Sequence, residues 1–217
     1  MSDKKNHMKL VWGILFVVVL FTISILYFGV IQKKHERAAI KIEGVVLPEA
    51  KPVAAFHFQD QLGQPFSNQN LKDHWSLLFF GFTNCGFVCP TTLTELNKMI
   101  KVLQQEIPDN QIPQVILVTV DPERDTVKRL REYVAAFNAD FKAIRADLEA
   151  TEQFENALHI SAVKMQADGT SDDQYMINHS AEILLINPEG NIQAYFSYPH
   201  KADQMVKDYK RILNSIG

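Results

Sequence analysis

Apolar residues fall along this chain in three patterns. The first is an uncharged, mostly apolar run over 10–31. At about 1.5 Å per residue it extends about 33 Å, enough to cross a bilayer core. A cleavable signal peptide would have a shorter apolar region, about 7–15 residues, closed by a small-residue site. This run is longer, no such site follows promptly, and no cysteine near its end could carry a lipid. The pattern predicts an uncleaved transmembrane anchor.

The second pattern is short, nearly continuous apolar segments, which suit buried strands. They predict strands over 54–59, 76–80, 115–120, 143–146, 163–166, 182–187 and 192–196. Pro188-Glu189-Gly190-Asn191 separates the last two as a hairpin turn. The third pattern is apolar residues at helical spacing. Leu93, Leu96, Ile100 and Leu103 share one face of a helix expected over 91–107, with Thr92 and Glu95 as a capping box or Pro90 at its first position. Further helices are expected from Asp125 or Thr126 to 138, over 148–158 and over 201–213.

Strand and helix alternate, then a hairpin and a last helix close the chain. That order makes an α/β layer fold. The segmentation expected is a polar cytoplasmic N-terminus over 1–9, the anchor over 10–31, a charged tether over 32–52 and one globular domain over 53–217. Residues 139–180 read as an elaboration, with a polar loop at 167–173.

Charge sharpens this picture. Residues 1–41 hold seven Lys/Arg against two acids, and the remainder fifteen against twenty-three. An acidic body without a basic stripe argues against a nucleic-acid partner. No phosphate-binding glycine motif occurs. Lysines flank the apolar run on both sides, so charge alone does not orient it.

The chemistry concentrates between 81 and 93. Cys85 and Cys89 are the only cysteines, three residues apart, where the strand over 76–80 runs into a helix. A helix N-terminus stabilises thiolate. Two close thiolates can oxidise to a disulfide or hold a soft ion such as Cu(I) or Zn(II). A purely structural disulfide is disfavoured, because closing so short a loop constrains the unfolded chain little. With a dithiol ending the first strand–helix unit, the fold reads as thioredoxin-like. A lone dithiol with a downstream histidine suits an oxidising compartment, which places the body outside the inner (cytoplasmic) membrane, in the periplasm.

Two sulfurs leave a metal site incomplete. Of seven histidines, His179 is the best third ligand, in a loop just before the strand over 182–187. His7, His35, His57, His74, His159 and His200 read as structural or solvated. Asp121 and an Arg124–Asp125 ion pair read as a turn, a helix cap and an ion pair that fix the loop after the strand over 115–120.

At these residues the chain resembles the Sco/SenC family of membrane-anchored, thioredoxin-like copper proteins. Gly81-Phe82-Thr83-Asn84-Cys85 through Cys89-Pro90-Thr91-Thr92-Leu93 resembles the family's copper loop. Val120-Asp121-Pro122-Glu123-Arg124-Asp125-Thr126 resembles its second signature, and His179-Ser180 the surroundings of its distal histidine. The resemblance implies that Cys85, Cys89 and His179 bind one copper, as Cu(I) or Cu(II). It implies a metallochaperone for the copper-bearing subunit of cytochrome c oxidase, with other periplasmic copper chaperones or thiol reductases as further partners. The alternative function is a thiol-disulfide oxidoreductase in which Cys85 and Cys89 are the catalytic redox pair. Two positions depart from the family: Gly86 stands where proline is common, and Asn178 where aspartate is common.

Overall fold

The computed structural model describes residues 42–166 and 175–216, together with residues 12, 15–16, 18–25 and 27. The chain separates into two units, 1–40 and 41–217. In the first, the described residues are helical. Among the described residues no helix is long and apolar enough to cross a membrane. The remainder of the span expected over 10–31 lies outside the described residues, as do the N-terminus over 1–9, residues 32–41 of the tether, His7, His35 and the loop over 167–173.

The second unit is built on an eight-stranded sheet. Its strands are β1 (Gly44–Pro52), β2 (His57–Asp60), β3 (Pro65–Ser67), β4 (Ser76–Gly81), β5 (Gln114–Thr119), β6 (Lys142–Arg145), β9 (Ile183–Ile186) and β10 (Asn191–Phe196). The spatial order is β1-β10-β9-β4-β5-β6-β2-β3. β7 (Ala162–Gln166) and β8 (Tyr175–His179) form a separate antiparallel pair. The helices are α1 (Val88–Glu106), α2 (Val127–Ala135), α3 (Leu148–Ala157) and α4 (Ala202–Ile216).

β4 is the centre. Every residue of it is buried, as an unbroken apolar run requires. It pairs parallel with β5 and antiparallel with β9, and β5 pairs parallel with β6. Alternation along β4 sends Phe79 and Gly81 to the face that carries α1, where Cys89 packs. Phe80 points to the other face and meets Phe154 of α3, which also touches Phe56 and Phe58. On the α1 side, Trp75 meets Tyr209 of α4 edge-on at 5.8 Å, and the Tyr209 hydroxyl donates to the Gln111 carbonyl.

Three expectations change. The tether expected over 32–52 ends in a strand, because Gly44–Pro52 pairs along β10 and extends the sheet. The loop before the last hairpin is also a strand, β8, and pairs with β7. The helix expected from 91 begins at Val88, so Cys89 lies inside it. No capping box forms there. Glu95 instead accepts from the Ala202 N–H at the start of α4 and pairs with Lys98. The other helix starts match the sequence reading more closely. Thr126 caps α2 through Arg129 N, and Asp147 caps α3 through Ala150 N.

α3 ends in a Schellman turn. His159 N bonds to the Asn156 carbonyl, Ile160 N bonds to the Glu155 carbonyl, and His159 itself sits at φ 58°. This position usually takes glycine, and the His159 side chain is exposed there.

Candidate metal centre

Three chain segments meet at one end of the central sheet. Cys85 lies in the loop leaving β4, Cys89 is the second residue of α1, and His179 is the last residue of β8. β9 begins four residues later and pairs with β4, opposing Ile183 to Phe79. That pairing brings a residue so distant in sequence back to the dithiol.

The Cys85 and Cys89 sulfurs and a His179 ring nitrogen lie within 4.8 Å of one another. Among the described residues no other three Cys, His, Asp or Glu side chains converge in this way. Cys89 is fully buried, whereas Cys85 is partly open, and neither is in a disulfide. Cys89 Sγ sits 3.6 Å from His179 Nε2. The other ring nitrogen, Nδ1, faces the Ser180 carbonyl at 2.8 Å. A carbonyl only accepts, so Nδ1 carries the proton and Nε2 presents its lone pair to the sulfurs. Phe79 and Phe82 stand edge-on to the ring at 6.3 and 5.8 Å and hold its plane.

α1 lacks a conventional cap. Phe87 at its N-cap makes no side-chain bond to the helix. The Cys89 N–H instead donates to Cys85 Sγ at 3.3 Å. The Cys85 sulfur therefore satisfies one of the orphan amides and sits at the positive end of the helix. Hydrogen bonding from the Cys89 thiol, helped by the Cys89 amide, brings the Cys85 thiol down to about 4 against the opposing effect of burial. The same bond, with burial, holds the Cys89 thiol well above its ordinary value. In the reduced site one sulfur is thus thiolate and the other keeps its proton.

Gly81 makes room for the buried sulfur. A Cβ there would lie 3.0 Å from Cys89 Sγ, 3.0 Å from the Phe79 ring and 3.1 Å from Leu117. Gly86 is different, since a Cβ on it would meet nothing within 4 Å. Asn178 is exposed, and alternation along β8 turns its side chain to the face away from His179. At neither departure from the family pattern does a side chain reach in among the two sulfurs and the His179 ring.

The second signature supplies the frame. The sequence suggested that Arg124 pairs with Asp125. The structure pairs Arg124 with Asp121 at 2.5 Å instead, because Asp125 is buried and turned toward the Cys85 loop. Asp125 accepts from the Thr83 amide, the Thr83 hydroxyl and the Thr119 hydroxyl. Asp121 accepts from the Tyr175 hydroxyl at 2.6 Å. Arg124 donates to the Tyr175 carbonyl and lies over its ring at 3.5 Å. One turn after β5 thereby fixes both the loop bearing Cys85 and the strand bearing His179. Tyr175 and Thr83 were not singled out in the sequence; Thr83 lies in the copper-loop motif, but Tyr175 carried no local signal.

The fold and site together define a thioredoxin-like α/β protein with a Cys–Cys–His centre. The SCO1/SenC family matches residues 47–214, and the chain belongs to that family. It is 33% identical over 171 residues to a protein of Stutzerimonas stutzeri named for copper binding, covering 79% of this chain and 81% of that one. The solved structure of Arabidopsis thaliana ScoI with copper bound superposes with a TM-score of 0.68 at 26% identity, over 74% of this chain and 98% of that chain. BsSco, a member of the Sco family of cytochrome c oxidase assembly proteins, shares the fold with a TM-score of 0.59 at 24% identity, over 79% of this chain and 98% of that one.

Proposed function

We propose that this chain is a copper metallochaperone that holds one copper ion as cargo through Cys85, Cys89 and His179 and assists assembly of the copper centre of cytochrome c oxidase. The carrying observation is the convergence of two sulfurs and the unprotonated nitrogen of His179 within 4.8 Å. Two thiolates and an imidazole form a soft donor set that selects copper over hard cations. Three ligands leave a position open for an acceptor's thiolate, so the ion can pass by ligand exchange. Cys85 is partly exposed, and Phe87 beside it is 68% exposed. Both suit a partner that must approach the ion closely. The copper relatives and the family resemblance point the same way. The segment over 10–31 serves as a single inner-membrane span, with the body in the periplasm.

The test is copper titration of the full-length chain in detergent micelles, with X-ray absorption at the copper edge. One copper per chain with sulfur and nitrogen ligands is expected. Cys85→Ser and Cys89→Ser abolish tight Cu(I) binding, and His179→Ala weakens it and removes the nitrogen signal. Unchanged affinity in all three variants overturns the site.

A second reading is favoured by the low-lying Cys85 thiol. As a thiol-disulfide reductase, the Cys85 thiolate would attack a partner disulfide and expel one partner sulfur as thiolate. Cys89 would then displace the partner, giving a Cys85–Cys89 disulfide and delivering two electrons to the partner's cysteines. Turnover that survives His179→Ala and fails in either cysteine variant would select this reading.

A further inference from the structure

We propose that Met165 and Met176 form a second, weaker site for a soft monovalent cation, Cu(I), on the outer face of the β7–β8 hairpin. The two methionines are directly opposed in the register of the pair. Directly opposed residues on an antiparallel pair share a face, with Cβ atoms about 4.5–5.5 Å apart. Met165 is 56% and Met176 53% exposed. The neighbouring cross-strand pair on that face, Val163 and Asn178, is exposed too. Tyr175 and Ile177 of the opposite face line a cavity against the body with Ala162 and Glu155. The thioethers thus point outward and are available to solvent.

Methionine is more often buried, and exposing two side by side gains the fold nothing. Each has an unbranched side chain with three rotatable bonds, so both sulfurs can turn onto one ion without moving the backbone. Thioether sulfur selects Cu(I) over hard or divalent ions. Neither donor loses a proton on binding, so the affinity does not change with pH, and two uncharged thioethers hold the ion less tightly than thiolates would. Met176 lies three residues before His179 on the same strand. An ion caught on the outer face is therefore one hairpin away from a tighter set of two thiolates and an imidazole, and passes down a gradient of affinity.

This inference takes its biological ion from the copper reading above, but its binding test stands apart. Full-length chain labelled with 13C at the methionine methyls is titrated with Ag(I) and, under anaerobic reducing conditions, with Cu(I). The background is Cys85→Ser/Cys89→Ser, which removes the proposed primary site. The expected result is that the Met165 and Met176 methyl signals shift together while those of the buried Met99 and Met205 do not. Met165→Leu then abolishes the shift at Met176. In the wild-type background, Met165→Leu/Met176→Leu slows copper loading severalfold and leaves final occupancy unchanged. Absence of the shifts, or a Met176 shift that persists in Met165→Leu, overturns the site. Shifts at the methionines in a wild-type chain that binds no copper through Cys85, Cys89 and His179 would sink the primary reading and leave this one standing.

Discussion

Thr83 donates both its backbone N–H and its hydroxyl to the carboxylate of Asp125, which also holds the Thr119 hydroxyl at 2.6 Å. The Cys85 loop is therefore hung from a buried acid beyond the next strand. Asp125→Ala leaves three buried or half-buried donors without an acceptor. A destabilisation of about 2–4 kcal/mol is expected. Urea unfolding of the metal-free protein measures it. Copper affinity should fall too, because Cys85 is two residues from Thr83. Full stability in Asp125→Ala would show that the loop is held by other means.

Gly81→Ala places a methyl 3.0 Å from Cys89 Sγ between Phe79 and Leu117. Overpacking of this kind costs about 1–3 kcal/mol. The displaced atom is a proposed ligand, so the copper affinity should drop by more than the stability loss explains. Gly86→Ala is the control, because its Cβ meets nothing. It should leave the geometry intact and stabilise by about 0.4–1 kcal/mol through the unfolded chain.

The Cys85 thiol titrates at about 4 and its neighbour far higher. Alkylation of the reduced metal-free protein should therefore modify Cys85 first, at a rate nearly flat from about pH 6 to 8. Cys89→Ala removes the largest cause of the low value, and the Cys85 rate should then climb with pH. A wild-type rate that rises steadily across this range contradicts the arrangement.

Burial, with Glu152 nearby, pushes the Glu155 carboxyl from 4.5 up to about 7, against a lowering influence from His179. Between those values the folded protein holds a proton that the unfolded chain has released. This contribution is full below about pH 4.5 and is lost as pH rises through about 7, at no more than about 1.4 kcal/mol per pH unit. Glu155→Gln should flatten that slope and raise stability relative to wild type at pH 8. Denaturant midpoints at several pH values give the comparison.

His159 occupies the left-handed position of a Schellman turn. His159→Gly should stabilise the protein by about 1 kcal/mol, read as a raised thermal midpoint. Loss of stability would mean that the imidazole contributes contacts outweighing the backbone strain.

Much of this arrangement was legible in the sequence because it rests on local pattern. The apolar run through β4, the spacing of Cys85 and Cys89, the Thr126 cap and the turn at Pro188 to Asn191 each leave a mark within a few residues. β1 did not, because its alternation is masked by Glu49 and Lys51 and its partner β10 lies far along the chain. β8 did not either, since Asn178 and His179 make it look like a loop until β7 is set beside it. The start of α1 was misplaced because Thr92 and Glu95 mimic a capping box, whereas the actual cap is a cysteine sulfur. The pairing of Arg124 with Asp121 rather than Asp125 follows from where Thr83 and Thr119 sit, which no spacing rule encodes.

Cys89 and His179 stand 90 residues apart in the chain and 3.6 Å apart in space. An ion held by both, as proposed, would be a removable staple across β5, β6 and the β7–β8 hairpin. On unfolding it would lose His179 and keep only the local cysteine pair, so loading would stabilise the fold by mass action, by at most about 2.7 kcal/mol when free ion reaches a hundred times Kd. A loaded chain should accordingly outlast an empty one under proteolysis, so that the cell's store of this protein follows the supply of its cargo.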